Sequence, residues 1–170
     1  MGNYNVVRTD RMTGTQVDSQ LRSFKYLVGG TTETAIENGN VVIYKGLIEG
    51  EREVYSADTP AANTPLSKVL LVASPELLSD PRLRNLSDFR NEAGDVCRGY
   101  RIVNGDTFGV TVGCFNNTEA DAPIVGDIVE LTGSTKFSAV TALTSGSTKV
   151  GEIIAIEPAD GVTYYVVENR

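Results

Sequence analysis

Any chemistry in this protein has to run without histidine, which the sequence lacks. That removes the commonest general base and the commonest metal ligand. A nucleophile–histidine dyad or triad is therefore excluded. The two cysteines, Cys97 and Cys114, cannot make a structural zinc site on their own, because such a site needs four thiolate or imidazole ligands. Carboxylates and Ser/Lys pairs remain. Paired carboxylates can act as acid and base or hold a divalent cation. Asp95, Asp106 and Asp127 each follow a glycine at a turn, and a turn Asp ordinarily bonds its own backbone. Together with Glu130 they lack the spacing of an EF-hand loop. Ser134 or Ser138 with Lys136, or Ser67 with Lys68, would be the pairs for histidine-free amide hydrolysis. Each sits in a turn or along a strand, without a strained nucleophile setting. No glycine-rich stretch runs on into Gly-Lys-Ser/Thr, so a phosphate loop is not indicated. The residues point away from catalysis, and no cofactor or metal is expected.

The elements that would position such groups are strands. A turn placed directly before β-branched residues recurs as Glu37-Asn38-Gly39-Asn40-Val41-Val42, Asn104-Gly105-Asp106-Thr107-Phe108 and Val125-Gly126-Asp127-Ile128-Val129, with a weaker copy at Asp160-Gly161-Val162. Gly and Asn tolerate the positive φ of tight turns, and β-branched residues suit a pleated surface. The spacing predicts a hairpin over residues 96–115 about Asn104-Gly105. That hairpin would set Cys97 and Cys114 nearly opposite, either as a cross-strand disulfide or as two buried thiols. Residues 68–73 are continuously apolar, which predicts a strand buried on both faces. Residues 57–95 read as a loop-rich insertion around that strand, with Ser74 capping a short helix that begins at Pro75. Short strands without βαβ alternation give a mostly β protein, a small barrel or sandwich-like domain.

Residues 1–30 are more polar than the body, 31–170. They hold Arg8, Arg11, Arg22 and Lys25 against Asp10 and Asp18, whereas the whole sequence has a net charge of −7. The spacing of Val17, Leu21, Phe24 and Val28 predicts a short amphipathic helix within a separate N-terminal arm. A basic arm on an acidic body suits an acidic partner surface. The acidic body disfavours nucleic acid, which is held through phosphate neutralisation. No apolar run reaches the length of a membrane helix. A second basic group, Arg82, Arg84, Arg90, Arg98 and Arg101, reads either as an interaction surface or as charges neutralised by Asp88, Glu92 and Asp95.

Two stretches resemble the head-decoration, or capsid cement, proteins of tailed bacteriophages. One is Pro123-Ile124-Val125-Gly126-Asp127-Ile128-Val129 followed by Val150-Gly151-Glu152-Ile153. The other is Ile36-Glu37-Asn38-Gly39-Asn40-Val41-Val42. The family commonly carries a G-D-x-V strand start, a later V-G-x-I/V strand, and an N-G-x-V-V start. The likeness spans about 36–48 and 123–168. It implies a non-enzymatic virion protein, made in the host cytoplasm, that binds the major capsid protein on the outside of the shell. It implies no nucleic-acid or membrane partner, and assembly as a homo-oligomer at the shell's symmetry axes. Residues of the arm would then make the contact, with Tyr4, Arg8, Arg11, Arg22 and Lys25 as candidates. Deleting residues 1–28 would leave a folded body that no longer attaches. The rival expectation is a tail or baseplate component or a carbohydrate-binding β module, which should expose aromatic side chains.

Overall fold

The computed structural model describes residues 4–8, 20–77, 86–118, 121–159 and 161–170. The strands are β1 (Val7–Arg8), β2 (Leu21–Val28), β3 (Thr32–Glu33), β4 (Val41–Leu47), β5 (Val54–Asp58), β6 (Val69–Val72), β7 (Cys97–Arg101), β8 (Thr107–Thr111), β9 (Ile128–Leu131), β10 (Phe137–Val140), β11 (Lys149–Ala159) and β12 (Val162–Glu168). The protein is mostly β, as the turn-and-strand pattern predicts.

One sheet closes on itself in the order β2-β5-β4-β6-β7, with β7 returning to β2 and β3 extending beside the end of β2. Its seam, β2 against β5, is parallel, and its other neighbours are antiparallel. Closure removes the exposed edges that an open sheet of this size would carry. The second sheet runs β8-β12-β11-β9-β10, with β1 on the far side of β8. It curls until β10 meets the backbone just beyond β8. Phe115 bridges Phe137 in parallel, the Asn116 N–H donates to the Phe137 carbonyl at 2.8 Å, and Asn117 bonds both backbone groups of Ala139 at 2.9 Å.

The two sheets therefore share one connectivity. In each, the first strand in sequence neighbours the fifth, the fifth the fourth, the fourth the second, the second the third, and the third meets the first in parallel. The registers match as well. Val41 opposite Leu71 corresponds to Ile128 opposite Glu152, and Val42 opposite Leu70 to Val129 opposite Gly151. Leu21 opposite Tyr100 corresponds to Thr107 opposite Glu168. Tyr26 opposite Ala57 corresponds to Phe115 opposite Phe137. The chief difference is the 3-10 turn Val112–Cys114, inserted between β8 and its seam residue. That insertion reduces the second seam to one bridge, where the closed barrel has four parallel pairs.

Strand alternation then assigns the cores. Phe24, Tyr26, Val42, Ala57, Leu70, Val72 and Cys97 fill the barrel. Val41, Val69, Leu71 and Tyr100, on its outer face, join Phe108, Val110, Phe115, Val129, Phe137, Ile153, Tyr165 and Val167 in a second cluster. β6 thus faces apolar surroundings on both sides, and all four of its residues are buried, in keeping with its uninterrupted apolar run.

Several expectations are corrected. The segment expected to be an amphipathic helix is β2. Phe24 and Tyr26 are buried while Ser23, Lys25 and Leu27 are only partly so, a period of two, and β5 and β7 take its backbone bonds. Residues 4–8 and 20–28 accordingly belong to the body and are not a separate arm; residues 9–19, Arg11 among them, lie outside the described residues. β7 and β8 do not form a hairpin. They belong to different sheets, and the turn between them is clasped by the C-terminal end, with Gly105 N–H on the Asn169 carbonyl at 2.7 Å and Asn169 N–H on that of Asp106 at 2.9 Å. A glycine at φ 90° in the third turn position fits a type II turn, which splays its flanking strands. Cys97 and Cys114 consequently sit in different clusters as free thiols. Residues 75–77 are not helical. Asn38 bonds the backbone of Ser74, whose hydroxyl accepts the Arg98 N–H at 3.0 Å.

Candidate functional site

The repeated turns have one construction. In turns 92–95, 103–106 and 124–127 the Asp carboxylate accepts the N–H of the residue three before it, at 2.8, 2.9 and 2.9 Å. The glycine ahead of each Asp has φ between 89° and 96°, a region that disfavours any side chain. Asp95, Asp106 and Asp127 are thus occupied with their own turns, as expected for turn aspartates. Turns 37–40 and 124–127 stand at equivalent places before β4 and β9. Gly39 donates to the Val72 carbonyl and Gly126 to that of Ile153, both at 2.8 Å. Val72 and Ile153 donate back to Asn40 at 2.8 Å and Asp127 at 2.9 Å. Residues 37–42 and 124–129 are thus the same structural part, used once in each sheet.

The nucleophile candidates are placed as follows. Ser134 Oγ bonds the backbone N–H and carbonyl of Lys136, at 3.1 and 3.2 Å, so its hydroxyl serves a turn. Burial pushes both Cys97 and Cys114 up to about 12, and Asp95 adds to the shift at Cys97. A thiol that resists ionisation is a poor nucleophile. Neither cysteine should react with a thiol-selective aromatic disulfide in the folded protein, and both should react once urea unfolds it. Fast labelling of the native protein would contradict their burial. No group of three metal-binding side chains occurs among the described residues.

The attachment candidates do not form one surface. The Tyr4 N–H donates to the Ser87 carbonyl at 2.9 Å, and the Arg90 guanidinium lies 5.1 Å from its ring centroid. Asn5 N–H donates to Glu37 Oε2 at 3.1 Å, and Val6 exchanges bonds with Thr111. Residues 4–8 therefore form a strap tying the barrel's turns to the second sheet. Arg22 points into the barrel. It stands opposite Gly99, where a Cβ would meet Leu70 and Phe24, and its guanidinium is 5.8 Å from the Tyr55 ring centroid. Lys25 is on the outside, paired with Glu33 at 3.5 Å. An exposed pair of this kind contributes about 0–1 kcal/mol. In the other basic group, Arg90 pairs with Glu92 through two nitrogens, at 2.8 and 3.0 Å, which favours local neutralisation there.

Arg8 lines a cavity. Its guanidinium lies 5.5 Å from the Tyr164 ring centroid. With Thr107, Gly109, Ile154, Glu157, Tyr164 and Val166 it borders a shallow groove of about 210 Å3 on the outer face of the second sheet. Arg8, Gly109, Val166 and Ala155 form one row across four strands, so bare backbone at Gly109 makes its floor. The volume is below the ~300 Å3 of small-molecule sites.

Apolar side chains are also exposed where β9 stops short along β11. β9 pairs with β11 only from Lys149 to Glu152, so no described strand covers that edge of β11 further on. Ile154 and Ile156 are exposed there on opposite faces of the sheet, Ile154 beside the groove and Ile156 opposite the buried Tyr165. The adjoining turn, clasped at Ile153, presents Ile124 at 58% and Val125 at 56% exposure. Two β-branched residues in an exposed turn depart from the polar chemistry that turns favour. That departure was the available signal.

No protein-family model, no curated protein and no solved structure matches this sequence.

Proposed function

We propose that this protein is a structural virion component that binds the outer surface of a phage capsid and stabilises its subunit junctions. The observation that carries the reading is the equivalence of the two family-like strand starts, each clasped in the same way at the same place in its sheet. Attachment needs apolar area that can be buried and a framework that presents it rigidly. Ile124 and Val125 supply the exposed apolar area, and the clasp at Ile153 supplies the framework. These residues replace the N-terminal candidates as the main contact, with Arg8 at the neighbouring groove. The major capsid protein is the proposed partner. The rival carbohydrate-binding reading is disfavoured by its own criterion: every tyrosine and phenylalanine is buried or half-buried. Tyr44 and Tyr55 pack edge to face on each other, 5.8 Å apart.

Purified protein mixed with expanded, undecorated heads should decorate them regularly in negative-stain micrographs. Absence of binding to such shells would sink the proposal. The paired change Ile124→Ser and Val125→Ser should leave the fold intact and weaken binding about tenfold to a hundredfold per side chain. Unchanged affinity would place the contact elsewhere.

A further inference from the structure

We propose that Asn104 is a site of spontaneous deamidation, while Asn38, in the same dipeptide, is protected. Asn-Gly occurs twice in the sequence, at Asn38-Gly39 and Asn104-Gly105. In this reaction the backbone nitrogen of the glycine loses its proton and attacks Cγ of the asparagine. A new bond joins that nitrogen to Cγ, the bond from Cγ to Nδ2 breaks, and ammonia departs, leaving a five-membered succinimide. Water then opens the ring at either carbonyl, giving aspartate or isoaspartate. The only co-reactant is water. Glycine favours the attack because no Cβ crowds the approach. The step needs an asparagine side chain free to rotate and a glycine N–H that solvent can reach.

Asn38 meets neither condition. It is 1% exposed. Its amide nitrogen donates to the Ser74 carbonyl at 2.9 Å and to Glu76 Oε1 at 3.2 Å, and its oxygen accepts from Ser74 N–H at 3.0 Å and from Asn91 Nδ2 at 3.3 Å. The Gly39 N–H is held by Val72, at the end of a strand with no exposed residue. Reaction there requires the barrel to open.

Asn104 and Gly105 are exposed, and no hydrogen bond of the Asn104 amide occurs among the described residues. The Gly105 N–H makes one bond among the described residues, to the carbonyl of Asn169 at 2.7 Å. Releasing one bond in a surface turn costs far less than opening a core. Asn169 is itself 8% exposed but belongs to neither apolar cluster, so releasing its carbonyl frees the Gly105 nitrogen without opening either core. The product adds a negative charge beside Asp106. The isoaspartate form also inserts a methylene into the backbone joining the barrel to the second sheet, which should loosen the clasp at Asn169.

The test is incubation of the folded, full-length protein in mildly alkaline buffer at physiological temperature, followed by proteolysis, mass spectrometry of both peptides and an isoaspartate assay. Asn104 should convert and Asn38 should not, with a rate ratio on the order of a thousandfold or more, because only the second needs global unfolding. In denaturant the two rates should converge. Asn104→Gln should abolish the conversion and leave the fold unchanged. The proposal is overturned if Asn104 survives in the folded protein while reacting in the unfolded one, or if Asn38 converts alongside it.

Discussion

Removing residues 1–28 is expected to leave a polypeptide that does not fold, the opposite of what a detachable arm would give. The deletion takes away β2, which pairs with β5 on one side and with β7 and β3 on the other. It also removes Phe24 and Tyr26 from the barrel interior, leaving Ala57, Leu70, Val72 and Cys97 against water. Loss of one buried Phe side chain costs about 3–5 kcal/mol. Net stabilities of domains are about 5–15 kcal/mol, so a missing strand added to two missing aromatics exceeds what this fold can lose. The strap Tyr4 to Arg8 goes too, with its bonds to Ser87, Glu37 and Thr111. Far-UV circular dichroism and a urea melt give the readout. A cooperative transition from the truncated protein would mean that the barrel tolerates an open gap between β5 and β7. Phe24→Ala is the graded comparison and should fold, with a lowered midpoint.

Why residues 1–30 misled is a matter of averaging. Their composition is polar, yet a barrel strand needs only alternate positions to be apolar, and Phe24 and Tyr26 suffice. β6 was legible because both its faces are buried, which leaves a continuous apolar run. The turn aspartates were legible because their bonds are local. Strand pairing was not, since β2 finds β5 and β7 far away in sequence, and nothing local distinguishes that outcome from a hairpin. The Asn104-Gly105 turn shows the limit. Its residues announce a turn, but whether the flanking strands meet depends on Asn169 arriving from the C-terminal end. The edge with Ile154 and Ile156 was invisible for the same reason, because it exists only where β9 stops.

The repeated connectivity was hidden by a further cause. Register fixes which way a side group points, and burial then selects its type. Equivalent positions in the two sheets meet different surroundings, so their residues diverge: Arg22 corresponds to Phe108, and Cys97 to Tyr165. The inserted turn Val112–Cys114 breaks the equivalence structurally. It brings Cys114 against Gly39, where an added Cβ would lie 2.5 Å from the sulfur, and so seats the barrel's turn against the second sheet.

That divergence yields a paired prediction at one register position. Leu71 and Glu152 occupy equivalent sites, opposite Val41 and Ile128. Leu71 is fully buried between barrel and second sheet, in a cluster with Val41, Val69 and Tyr100. Leu71→Glu places a carboxylate there without a partner, and the loss should exceed about 4 kcal/mol, a large share of the roughly 5–15 kcal/mol that keeps a domain folded. Glu152 faces outward, bonded to Arg170 at 2.8 Å, and the Arg170 guanidinium pulls its carboxyl below the usual range despite some opposing desolvation. Arg170 is 53% exposed, so the pair contributes little, and Glu152→Leu should change stability by less than about 1 kcal/mol. Urea midpoints of the two variants give the comparison. Similar midpoints would mean that the barrel's outer face is not the buried joint between the sheets. A large gap in the stated direction would show that one connectivity carries opposite side-group demands, set by what each outer face packs against.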